Sequence, residues 1–139
     1  MSNVIKTIDL VSDFQKSSIA QINEAVFKEK NVAGETIFEV FIWWYYFDWI
    51  LFSYPDYESL PKESILYKYC WSNLYGKETW GDYTGGEVEI DRLEEFYGHL
   101  KSINLRDELN VEKEFAAILE ICESAIQHKN KLFFIADYF

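Results

Sequence analysis

The stretch "FIWWYYFDWILF", residues 41 to 52, places eight aromatic side chains and a single carboxylate, Asp48, in twelve positions. It belongs to a run from residue 35 to 54 that contains no Gly or Pro and is closed by Pro55. Nothing so apolar can stay in water, so it is a core element, a ligand-binding wall or a membrane span. A span needs about twenty nearly uncharged residues. Here Glu35, Glu39 and Asp48 interrupt the run, and its many Trp and Tyr suit interfaces better than lipid tails.

Twenty uninterrupted residues are long for a strand, and Glu35 and Glu39 suit the N-terminal end of a helix, so the run reads as a central buried helix. At 100° per residue, Glu35, Glu39, Ile42, Tyr46 and Trp49 share one face, and Ile37, Phe41, Trp44, Asp48 and Leu51 share the other. Either Asp48 is buried with a partner, or one face of the helix is a binding surface. The second possibility gives an alternative function, a helical enzyme or small-molecule binder whose pocket is lined by Trp43, Trp44, Tyr45 and Asp48.

The remaining pattern also reads as helical. Apolar residues recur at Val4, Ile8 and Val11, then at Ile19, Ile22, Val26 and Phe27, before a stop at Gly34. Residues 56 to 76 follow with an inner stripe of Ile65, Leu66, Tyr69, Cys70 and Leu74. "EVEIDRLEEFYGHLKS" and "NVEKEFAAILEICESAIQHKNK" supply two further stripes, Asn110 capping the second. The tail "LFFIADYF" fits a last helical turn or a strand, and a short hairpin fits "WGDYTGGEVEI". With no linker or repeat, the expectation is one all-α domain over residues 1–139, a bundle of five or six helices around the aromatic one.

Charge narrows the function. The net charge is −11, distributed as 0 over residues 1 to 34, −5 over 35 to 86, −7 over 87 to 123 and +1 over 124 to 139. Phosphate contacts need Lys and Arg, so direct binding to nucleic acid or an anionic membrane is disfavoured. A basic partner is attracted instead. Two isolated cysteines, Cys70 and Cys122, and an N-terminal stretch without a signal-peptide pattern point to the cytoplasm.

Catalytic signatures are missing. Cys122 and His128 are six residues apart, which puts them on different faces of a helix, and His99 has no motif around it. The acids near residue 90 lack the calcium-loop pattern, and Gly85 and Gly86 lack the Lys of a phosphate loop. No cofactor or metal is expected.

One combination remains. Trp80, Asp82 and Tyr83 stand in a glycine-rich loop that runs into Glu87, Glu89, Asp91, Glu94 and Glu95, with Tyr97 close by. Aromatic anchors among carboxylates suit the occlusion of a basic cleft. In size, acidity and aromatic content the chain resembles the immunity proteins that bacteria make against nuclease toxins of colicin or contact-dependent inhibition systems. That resemblance implies a cytoplasmic, non-enzymatic inhibitor that binds one basic toxin domain directly.

Overall fold

The computed structural model describes residues 6–11, 24–43, 46–47, 49–50, 87–90, 92–105 and 110–137. Its centre is a five-stranded mixed sheet, which replaces the expected all-α bundle. The strands are β1 (Lys6–Asp9), β2 (Glu24–Lys30), β3 (Thr36–Trp43), β4 (Glu87–Glu89) and β5 (Lys131–Asp137), in the order β1-β3-β2-β5-β4. Among the described residues only the β1–β3 pairing is parallel. Two helices, α1 (Leu93–Lys101) and α2 (Glu112–His128), lie between β4 and β5 in the chain.

The aromatic run is divided rather than continuous. Thr36–Trp43 is strand, and Tyr46, Phe47, Trp49 and Ile50 are helical. Phe38, Val40 and Ile42 alternate toward the core, a period of two that β-branched and aromatic residues favour. The intervening Ile37, Phe41 and Trp43 are also apolar and half-buried, which hides the alternation in sequence. Trp44, Tyr45, Asp48 and residues 51 to 86, including the expected third helix, lie outside the described residues.

Similar arithmetic overturns the first expected helices. Ala25 and Phe27 of β2 face the same side as Val40 and Phe134, whereas Lys28 pairs across the opposite side with Glu39, Nζ to Oε2 at 3.7 Å. Gly34 does end an element, but as part of the β2–β3 turn, where its φ of +83° suits a residue without Cβ. Asn31 holds that turn closed: its Oδ1 accepts from the backbone N–H of Ala33 at 2.9 Å and of Glu35 at 3.0 Å.

The two C-terminal helices form as expected, although Phe115, Leu119 and Ile126 of the stripe expected for α2 are only half-buried. Phe96 and Leu100 from α1, and Ile118, Ile121, Cys122 and Ala125 from α2, are buried over the sheet side carrying Phe27 and Phe134. Phe27, Phe47 and Phe134 form a triangle of rings with centroids 5.1 to 5.3 Å apart. Residues 131 to 137 resolve the tail as a strand, and Glu87–Glu89 pairs with that strand; the rest of the expected hairpin, residues 80 to 86, lies outside the described residues. No helix among the described residues is long and apolar enough to cross a membrane.

Candidate functional site

The sheet divides the acidic surface expected from sequence. Glu87 and Glu89 stand opposite Ile135 and Phe133 in register, on the side away from Phe134 and the helices. There each meets a lysine: Lys30 Nζ lies 2.6 Å from Glu87, and Lys131 Nζ lies 3.9 Å from Glu89. Glu94, Glu95 and Tyr97 belong to α1 in the helical layer. Trp80, Asp82, Tyr83 and Asp91 lie outside the described residues. The two groups of acids therefore occupy different layers and do not make one surface.

What the structure does bring together is a strip along α1 and α2. The Tyr97 hydroxyl donates to Glu123 Oε2 at 2.5 Å and ties the helices together. This bond, with desolvation and the charge of Glu123, pushes the phenol up to about 12, because ionising it would place two anions in contact. Glu94 is one turn before Tyr97 on α1, and Glu120 one turn before Glu123 on α2, so each is a neighbour of that contact on its own helix. Glu94, Glu120 and Glu123 are exposed. Glu95 is taken up by Arg92 at 2.5 Å, Glu120 meets Lys6, and Lys101 Nζ lies 4.5 Å from the Tyr97 ring centre. Glu94 has no cationic partner among the described residues. Glu120 and Glu123 are not among the site residues expected from sequence. Their i, i+3 spacing on the polar side of α2 was the available signal.

A second polar cluster invites a catalytic reading and fails it. Glu29, 0% exposed on the helix side of β2, accepts hydrogen bonds from Ser124 Oγ and Asn130 Nδ2, each at 2.6 Å. His128 Nδ1 lies 3.3 Å from Ser124 Oγ and 3.7 Å from Glu29 Oε2. Serine, histidine and carboxylate are all present, yet the connections are wrong for an activated hydroxyl. Ser124 gives its proton to the carboxylate. His128 Nδ1 is 2.8 Å from the Ser124 carbonyl oxygen, which can only accept, so that nitrogen carries its proton and is no base. The cluster is a latch fastening the end of α2 to the sheet.

Cys122 is fully buried, and burial followed by the charge of Glu123 pushes its thiol well above the ordinary range, leaving it inert as a nucleophile. Cys70 lies outside the described residues. Among the described residues no group of three or more His, Cys, Asp or Glu is placed to hold a metal ion. Comparison with known protein families, with curated proteins and with solved structures finds no match to this chain.

Proposed function

We propose that this chain is an acidic protein-binding inhibitor, of the kind that neutralises a basic toxin domain, and that it meets its partner with the α1–α2 seam. The observation that carries this reading is the strip of Glu94, Tyr97, Glu120 and Glu123: exposed carboxylates on two helices braced against each other over a packed core. A pre-formed surface loses little freedom on binding, and its charge would speed encounter with a cationic partner at low salt. Glu87 and Glu89 have no part in this version, being on the other side of the sheet.

The test compares the tagged protein with a Glu94→Lys, Glu120→Lys variant in capture from its native cells at low and high salt. The reading expects one basic protein retained by the parent, lost from the variant, and inhibited in its own activity when the purified parent is added. Equal capture by both proteins, or a captured protein whose activity is unchanged by the parent, would refute it.

A further inference from the structure

The β2–β3 turn and the α2–β5 turn enclose a shallow groove of about 260 Å³. Its lining includes Lys30, Lys129, Lys131 and Phe133, with Val32 at its lip. In a chain of net charge −11, three lysines gather around this one depression. Lys30 is already held, by Glu87 at 2.6 Å and over the Phe133 ring at 4.8 Å. Lys131 is 69% exposed and only loosely paired with Glu89 at 3.9 Å. Lys129 is exposed and has no ion-pair partner among the described residues.

Both walls are fixed in advance. One is the turn braced by Asn31. The other is a Schellman turn, in which Asn130 N–H donates to the Ala125 carbonyl at 2.8 Å and Lys129 N–H to the Ile126 carbonyl at 3.2 Å. Val32, 99% exposed, is therefore an apolar side chain held on a stiff tip beside two available ammonium groups. The volume is below the roughly 300–1,000 Å³ of small-molecule sites.

We infer that this groove docks an acidic peptide segment of a protein partner, its carboxylates on Lys129 and Lys131 and an aliphatic side chain against Val32 and Phe133. The site is separate from the acidic strip, and either can fail without the other. The general field of the protein repels such a peptide, so binding at this corner must come from the local arrangement.

The experiment is a ¹⁵N NMR titration of the whole chain with a short blocked peptide of alternating glutamate and leucine, with acetate at the same carboxylate concentration, and with a lysine–leucine peptide. The glutamate peptide should shift the amides of residues 31 to 34 and 129 to 131, saturably. Lys129→Gln with Lys131→Gln should weaken it about fivefold, as loss of two exposed ion pairs would. Lys113→Gln should leave it unchanged. The lysine–leucine peptide should instead shift α1 and α2, which reports on the strip independently. Equal shifts with acetate, shifts elsewhere only, or indifference to the Lys129 and Lys131 substitutions would overturn the assignment.

Discussion

A buried carboxylate lies at each end of α2, Glu29 from β2 and Glu114 from the helix itself, and the protein treats them in opposite ways. At the C-terminal end, Glu29 is wholly enclosed but receives two short hydrogen bonds, beside a closed Schellman turn. At the N-terminal end, Glu114 is 8% exposed, and desolvation, its largest influence, raises its pKa despite help from its own backbone N–H and the nearby Lys113. That end also lacks a side-chain cap: Val111 is the N-cap, and Asn110, expected to cap, has φ of +56° instead. Burial alone does not decide whether an acid stabilises a fold; the donors that travel with it do.

This contrast can be broken most strongly at Glu29. Glu29→Ala leaves the Ser124 hydroxyl and the Asn130 amide without their acceptor in a buried place and should cost about 2–4 kcal/mol. Urea denaturation would show it as a lower midpoint. A loss below ~1 kcal/mol would mean the latch contributes little.

The next effect is at the helix stop. Lys129 holds a left-handed conformation, φ +58°, which costs a residue with a Cβ about 1 kcal/mol. Lys129→Gly should therefore stabilise by about 0.5–1 kcal/mol, read as a rise in Tm, while weakening the groove's hold on an acidic peptide. Stability and docking would then part company at one position.

Glu114→Gln should give a smaller stabilisation whose size depends on pH. The folded pKa is above the unfolded one, so the native state holds the proton more tightly, and stability falls as pH rises through and above the ordinary carboxylate range. Glutamine is insensitive to this. The gain in Tm should be present at pH 7 and fade toward pH 4; a gain independent of pH would point to packing.

The smallest effect is at Tyr97, midway along the seam. Its phenol, raised to about 12, contributes stability that is complete below pH 10 and lost between roughly 10 and 12. Ultraviolet titration of tyrosinate should find one late component, moved toward 10 by Glu123→Gln. No change on that substitution would separate the phenol from Glu123.

Legibility in the sequence followed the same physical lines. α1 and α2 were readable because one side of each is apolar and the other charged: Phe96 and Leu100, or Ile118 and Cys122, recur at helical intervals. β3 was not, because apolar side chains on both its faces hide a period of two, and no Gly or Pro separates it from the helical residues after it. In β2, the adjacent Val26 and Phe27 fitted a helix stripe begun by Ile19 and Ile22. The acidic site was legible as composition but not as a surface. Assigning Glu87 and Glu94 to opposite layers requires knowing that the chain leaves a sheet between them.

The order of the strands also sets a schedule. β2 and β3 are joined by a short turn and can pair as soon as both exist, but the second edge of β2 is completed by β5, whose residues 131 to 137 lie roughly a hundred positions later. Closing so wide a loop is slow compared with forming a hairpin. While the ribosome is still making the intervening segment, Val26 and Phe27 stand on an open strand edge, so misassembly competes with folding mainly in that interval. Once β5 is inserted, that edge is gone.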